Sequence, residues 1–133
     1  VATGAVFGSY QYGPTMWWQG WGVPFVIALN WAVLVLAAND LVDRFLSSPL
    51  IGSALAGVIV AGYDFFIEPV AIQLDYWQWA GGSIPTQNYL AWAVVGFIIS
   101  LPLRYLRIRY QSPLLPIYLV SQLLFFLLLN WLL

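Results

Sequence analysis

The sequence predicts an all-α fold: a polytopic bundle of about four transmembrane helices that forms one domain over residues 1–133. Hydrophobic residues make up 62% of the chain and charged residues only 7%, and the mean hydropathy is +0.85. These values lie outside the range of soluble globular proteins. Four apolar stretches are each long enough to cross the roughly 30 Å hydrocarbon core of a bilayer. Spans and short connections therefore account for nearly the whole chain, and no room remains for a soluble domain.

Turn-forming or polar segments separate the predicted spans. Residues 1–20 are rich in glycine and aromatic residues, and we expect a helix end there, followed by an interfacial loop. Residues 73–87 contain glycine, proline and two tryptophans, which predicts a cap at the membrane surface. The predicted spans are Trp21–Asn39, Pro49–Ile72, Asn88–Leu106 and Pro113–Leu132.

The positions of the basic residues predict the orientation of the bundle. Arg44 lies in the first connection, and Arg104, Arg107 and Arg109 lie in the third, so all four arginines are on one side of the membrane. The positive-inside rule makes that side cytoplasmic. We expect an integral protein of a prokaryotic cytoplasmic membrane. Asp40 and Asp43 should then form a solvated helix end with local ion pairing to Arg44. The expected outer aromatic belt comprises Trp17, Trp18, Trp21, Trp77 and Trp79.

Composition also argues against several classes of function. A net charge of −1 without any lysine offers no basic stripe for nucleic acid. The chain has no cysteine and no histidine, which removes disulfides and the commonest transition-metal ligands. No phosphate-binding loop or nucleophile elbow is present. We therefore expect no metal and no cofactor.

Asp64 and Glu68 stand inside the otherwise apolar second span. A carboxyl group in the bilayer costs roughly 2.5–3.5 kcal/mol on insertion scales, so it usually persists because a pathway, partner or reaction uses it. Helical spacing places both acids on a stripe of small residues that allows close helix packing, and we expect this stripe to face the bundle. That stripe comprises Ser53, Gly57, Ala61, Asp64, Glu68 and Ala71, and the opposite stripe comprises Leu55, Ile59, Phe66 and Val70.

The spacing of the two acids permits acid–base chemistry. Carboxyl groups one helical turn apart in a low-dielectric site resist ionising together, so one of them should hold a proton at neutral pH. A carboxylic acid beside a carboxylate is a general acid paired with a general base. Pro69 would bend the helix next to Glu68, or would simply end the span. The alternative for the pair is a structural polar cluster, with Asp64 or Glu68 hydrogen-bonded to Asn30, Tyr63 or Asn88.

Other polar and aromatic residues are expected near the acids. Asn30 lies mid-depth on the first span, and Asn88, Trp92, Gly96 and Ser100 form a ladder at helical spacing on the third. The first three spans should therefore surround one partly polar cavity. Aromatic rings near the acids could stabilise a cation through their π faces. Asp75 is interpreted either as an acid at the mouth of this cavity or as a hydrated loop residue.

Five short motifs carry a resemblance over residues 1–92. They are Phe7–Gly13, Gly22–Pro24, Asp64 with Ile67–Ala71, Asp75–Trp79, and Ile84-Pro85-x-x-Asn88-Tyr89. In this order they resemble the membrane carotenoid hydratase family, typified by the bisanhydrobacterioruberin hydratases. Family members are longer and begin with further helices, so the chain is expected to correspond to their C-terminal portion.

The resemblance implies addition of water across the terminal C=C bond of an acyclic carotenoid, giving a tertiary alcohol without any cofactor. Asp64 and Glu68 would be catalytic, although the sequence does not assign which one donates the proton. The alternatives are a carotenoid cyclase of the small membrane type, a noncatalytic pigment-binding or assembly subunit, and a proton-coupled carrier. The partners implied are the carotenoid, water and the bilayer, together with a second copy or other carotenoid enzymes. The expected substrate-binding residues are Tyr10, Tyr12, Asn30, Asp75, Trp77, Trp79, Asn88 and Trp92.

Overall fold

A computed structural model describes residues 4–133 and has four long helices within that range. All four are long and apolar enough to cross a membrane, which confirms the predicted all-α polytopic bundle. Four short strands, β1–β4, precede α1 or join α2 to α3. The elements in order are β1 Tyr10–Tyr12, β2 Gln19–Gly20, β3 Val23–Pro24, α1 Phe25–Asp43, α2 Pro49–Gln73, β4 Trp77–Trp79, α3 Thr86–Tyr105 and α4 Leu114–Leu132.

The N-terminal segment forms turns and strands before α1. From Gly4 to Pro24 the chain contains no helix, and residues 1–3, where part of the expected helix end would fall, lie outside the described residues. Strands β2 and β3 pair across Trp21 and Gly22, which both have positive φ values of 50° and 76°. Two such residues form the tight turn that suits a two-residue hairpin. Helix α1 consequently begins at Phe25 and not at Trp21.

Helices α2 and α3 form the closest helix pair. A Cβ added to Gly96 would lie 2.8 Å from the Cα of Gly57, so the two backbones contact each other directly. Of the stripe predicted to face the bundle, Ala61 alone is partly exposed, and the rest is buried. Val70, expected on the opposite stripe, is also buried, and β4 packs against α2.

The connection from α2 to α3 folds back over the bundle. Strand β4 pairs antiparallel with β1, placing Tyr10 opposite Trp79 and Tyr12 opposite Trp77. Successive side chains of a strand point to opposite faces, so all four rings share one face of this ribbon. We call this set of four rings the aromatic cap, and the end of the bundle that carries it the cap end. The connection is therefore a cap, as predicted, but it is built as a β-ribbon.

The opposite end of the bundle carries the four arginines, and we call it the arginine end. Helix α1 runs on to Asp43, so Asp40 is only 3% exposed and its carboxylate pairs with Arg44 at 2.9 Å. Asp43 pairs with Arg104 of α3, and both of these side chains are largely buried. The prediction of a solvated helix end is therefore wrong, although the ion pairing to Arg44 is correct. The error arose because α1 extends one turn beyond the predicted span and carries both acids into the packed part of the bundle.

Candidate active site

Asp64 and Glu68 lie one turn apart on α2 and are 1% and 2% exposed. Both face α3, where the side-chain amide of Asn88 donates to each of them. Its Nδ2 atom donates to Asp64 Oδ2 and, at 3.1 Å, to Glu68 Oε1. Asn88 lies in the first turn of α3, at the level of the acids, because α3 begins at Thr86. One amide thus bridges the two carboxyl groups.

The aromatic cap supplies two further donors to Glu68. The indole Nε1 atoms of Trp77 and Trp79 donate to Glu68 Oε2 at 3.0 Å and 2.8 Å. Strand alternation points both indoles inward and leaves Gln78 exposed between them. Trp77 and Trp79 are 6% and 7% exposed, so they do not belong to the outer aromatic belt. The other predicted belt residues, Trp17, Trp18 and Trp21, are exposed.

The two acids therefore accept different numbers of hydrogen bonds. Glu68 accepts three N–H donors spread over its two oxygens, whereas Asp64 accepts one side-chain hydrogen bond within residues 4–133, from Asn88. Hydrogen bonds from N–H groups to a carboxylate favour its charged form. The arrangement suits an ionised Glu68 beside a protonated Asp64.

A small cavity adjoins the two acids. Its volume open to water is about 30 Å³, which is room for about one water molecule. Most of the residues that line it are aromatic, so the side chains of Asp64, Glu68 and Asn88 are polar groups in a largely apolar cavity. The lining residues are Phe7, Tyr10, Tyr12, Ile27, Trp31, Asp64, Glu68, Trp77, Trp79, Asn88 and Trp92.

Tyr10 and Tyr12 complete the cap side of the cavity. Their hydroxyl groups are 3.1 Å apart, and their rings meet edge to face with centroids 5.2 Å apart. Burial raises the pKa of Tyr10 and of Tyr12 above the usual value for tyrosine. Both phenols therefore remain neutral at physiological pH and line the cavity as uncharged rings.

Three lining residues were missed by sequence reasoning. Trp31 of α1 stacks on Trp92 of α3 with ring centroids 3.8 Å apart, and Phe7 lies 4.8 Å from Trp92. Ile27 joins Trp31 from the same face of α1, one turn earlier. The spacing of Ile27 and Trp31 at i and i+4 was visible in the sequence, but one apolar face of an apolar helix carries no local signal of what it faces.

Two predicted site residues do not line this cavity. The side-chain oxygen Oδ1 of Asn30 accepts hydrogen bonds from the Tyr118 hydroxyl at 2.6 Å and from Gln122 Nε2 at 2.5 Å, so this side chain faces α4. Asp75 is exposed in the connection after α2, where it accepts a hydrogen bond from Gln78 at 3.2 Å. The structure thus brings together Tyr10, Tyr12, Asp64, Glu68, Trp77, Trp79, Asn88 and Trp92.

Pro69 does not end the second span. Helix α2 continues to Gln73, which brings β4 back over Glu68 after a short turn. Near this proline, the backbone carbonyl of Phe66 accepts a hydrogen bond of 2.7 Å from the Asn130 side chain of α4. The helix therefore holds the acids in regular helical positions up to the cap.

Fold and site together define a polytopic α-helical membrane protein with a buried, amide-bridged acid pair under aromatic rings. The family model described as carotenoid biosynthesis protein matches residues 1–133, so the chain belongs to that family. No match is found among curated proteins or among solved structures.

Proposed function

We propose that this protein hydrates the terminal C=C bond of an acyclic carotenoid by acid catalysis. The observation that carries the proposal is the buried pair Asp64 and Glu68, bridged by Asn88 beside a cavity that holds about one water. Membership of a carotenoid biosynthesis family gives the substrate class. Hydration of an alkene needs an acid, a site that tolerates a carbocation and a positioned water, and it needs no redox cofactor.

The unequal hydrogen bonding supports one division of roles between the two acids in this proposal. Asp64 is the proton donor, because Asn88 occupies its Oδ2 and leaves Oδ1 to carry the proton. Glu68 is the carboxylate that holds the water and balances the cation, since three N–H groups stabilise its charge. Each hydrogen bond to a charged group contributes about 1.5–3 kcal/mol, which offsets the cost of a buried carboxylate.

The reaction balances without another reactant. The Asp64 proton adds to the less substituted alkene carbon, and the π electron pair forms the new C–H bond, leaving a tertiary cation on the carbon with two methyl groups. Water oxygen bonds to that carbon and gives a proton to Glu68. Proton return from Glu68 to Asp64 through cavity water closes the cycle.

The aromatic lining supports the cationic intermediate. Rings of Tyr10, Tyr12, Trp77 and Trp79 surround the acids with uncharged π systems, and a ring face contributes about 0.5–2 kcal/mol toward a nearby cation. Neutral phenols suit this role because they do not compete as nucleophiles in the way that phenolates would.

The geometry disfavours a proton-coupled carrier. Between the acids and the buried polar groups of the arginine end, the backbones of α2 and α3 contact each other at Gly57 and Gly96. Such contact leaves no space for a chain of water along that helix pair. The lining of the cavity includes all four rings of the aromatic cap, so the site lies next to the cap end, which the positive-inside rule predicts to face outward.

The test is expression of the protein in a host that makes lycopene, followed by mass spectrometry of the extracted pigments. We expect a product heavier by one water, and we expect Asp64→Asn and Glu68→Gln to lower its yield at least about 100-fold, as for loss of an essential general acid or base. The matched control is Asp75→Asn, which removes an exposed carboxylate outside the cavity and should leave the yield unchanged.

Other outcomes separate the alternatives. An isomer of unchanged mass would indicate a cyclase, and unaltered pigment that copurifies with the protein would indicate a binding or assembly subunit. Full hydration by both acid variants would overturn the assignment of the catalytic pair.

A further inference from the structure

A second polar site lies at the arginine end, far from the acid pair. The chain has four basic residues, and Arg104, Arg107 and Arg109 line one open pocket there with a volume of about 620 Å³. Tyr105 joins them, and Ser47 and Pro49 close the opposite side from the start of α2. Three of the four cations thus converge on one pocket.

Charge within this pocket is only partly balanced. Asp40 pairs with Arg44 and Asp43 pairs with Arg104. Within residues 4–133, no acidic side chain forms an ion pair with Arg107 or Arg109. These two residues therefore leave an uncompensated charge of two at the pocket rim, which favours an anionic ligand.

Arg104 provides the buried part of the site. Its side chain is 5% exposed, and its Nη1 atom donates to Asp43. Its Nε and Nη2 atoms are buried and have no hydrogen-bond partner within the described residues. Both atoms are fully covered, as are the unpartnered acceptors Asp40 Oδ1 and Ser53 Oγ. Arg104 therefore forms the buried wall of the pocket, and the exposed Arg107 and Arg109 are the residues that can contact a ligand.

Backbone geometry adds to the anion preference. Arg107 has a φ of 53°. The Ile108 N–H donates to the Leu103 carbonyl oxygen, and this hydrogen bond ends α3 and fixes the position at which Arg107 leaves the helix. Helix α2 starts at Pro49, which lines the pocket, so the positive end of the α2 dipole lies next to it; Pro49 itself has no N–H, and Ser48 Oγ caps the Ile51 N–H. Arginine guanidinium groups and helix N-termini both interact favourably with phosphate oxygens.

The pocket is flanked by apolar surface. Phe45, Leu106 and Ile108 are 80%, 70% and 55% exposed beside it. A free phosphate ion would make no use of these side chains, whereas the acyl chains of a lipid would cover them. Basic pockets next to transmembrane helices on the cytoplasmic side are typical binding places for anionic headgroups.

We propose that this pocket binds the phosphate of an anionic phospholipid headgroup at the inner face of the membrane. Arg107 and Arg109 donate hydrogen bonds to the phosphate oxygens of the headgroup, and Arg104 forms the buried wall of the pocket. The site is independent of the hydration proposal, because it shares no residue with the acid cavity.

The test is native mass spectrometry of the whole protein, titrated with phosphatidylglycerol or with phosphatidylcholine of the same acyl chains. We expect selective retention of phosphatidylglycerol. The double variant Arg107→Gln/Arg109→Gln should weaken that binding about thirty-fold, given the usual contribution of each basic residue near an anionic membrane. Both residues are exposed, so folding should survive the change.

Two further measurements complete the test. The charge-matched variant Arg107→Lys/Arg109→Lys should keep most of the selectivity, because the net charge is retained. Inorganic phosphate is added as a competitor, and we expect no displacement of phosphatidylglycerol at equal concentration. Equal retention of the two lipids, unchanged selectivity in the glutamine variant, or displacement by inorganic phosphate would each overturn the proposal.

Discussion

Asn88 donates to both acids, so it holds the pair in one geometry and helps to separate their charge states. We expect Asn88→Leu to lower carotenoid hydration about 10- to 100-fold, since each carboxyl group loses a hydrogen bond in a low-dielectric site. Pigment analysis in the lycopene-producing host measures this effect. The control is Asn130→Leu, because Asn130 is also an amide on a transmembrane helix but is exposed and lies outside the cavity. Equal activity of the two variants would show that the bridge does not matter.

The N–H groups of the indoles in the aromatic cap can be tested separately from the packing of the indole rings. Trp79→Phe keeps an aromatic ring and removes one N–H donor from Glu68. We expect a drop in hydration of about 10-fold or more, because the charged form of Glu68 loses one of its three donors. Trp17→Phe is the matched control, since Trp17 is 82% exposed. A Trp79→Phe enzyme as active as the Trp17→Phe enzyme would mean that the N–H group has no role.

Among the helices, the α2–α3 contact sets the position of the site. Small residues at a membrane helix interface let backbones approach closely, and van der Waals packing then drives association. This contact also places Asn88 of α3 opposite Asp64 and Glu68 of α2. The same contact separates the acid site from the polar groups of the arginine end.

Gly57 and Gly96 therefore should not tolerate larger side chains. A Cβ at Gly57 would collide with the backbone carbonyl of Ala93, and a Cβ at Gly96 would lie 2.8 Å from the Gly57 Cα. We expect Gly57→Ala to destabilise the protein by about 1–3 kcal/mol through overpacking, seen as a lower Tm in detergent. Gly62→Ala is the control on the same helix, because its Cβ would meet nothing within 4 Å. Alanine there should raise stability by up to about 1 kcal/mol through helix propensity. A Gly57→Ala protein as stable as Gly62→Ala would contradict the described contact.

For the whole molecule, orientation in the membrane determines which side would supply water for the proposed hydration and which side would meet the proposed anionic lipid. All four arginines lie at one end, whereas the aromatic cap lies at the other. The positive-inside rule predicts that the arginine end faces the cytoplasm.

The absence of native cysteine makes this orientation simple to measure. We expect Ser83→Cys, in the exposed connection before α3, to react with a membrane-impermeant maleimide on intact cells. Gln111→Cys, in the exposed connection before α4, should react only after the membrane is opened. The reverse pattern would place the acid site on the cytoplasmic side and would change where water enters.

The membrane-spanning class, the approximate spans and the inward-facing acid pair could all be predicted from the amino-acid sequence. Hydropathy and helical periodicity are local properties, so the positions of Asp64 and Glu68 could be predicted without knowing their neighbours. The difference between the two acids depends on contacts between segments that are distant in the sequence. Pairing of β1 with β4 joins segments more than 60 residues apart and turns Trp77 and Trp79 from expected belt residues into donors to Glu68. The same applies to Asn30, which packs against α4, and to Asp40, which is buried by the extension of α1. In each case a side chain's partner comes from another element, and no local pattern encodes that partner.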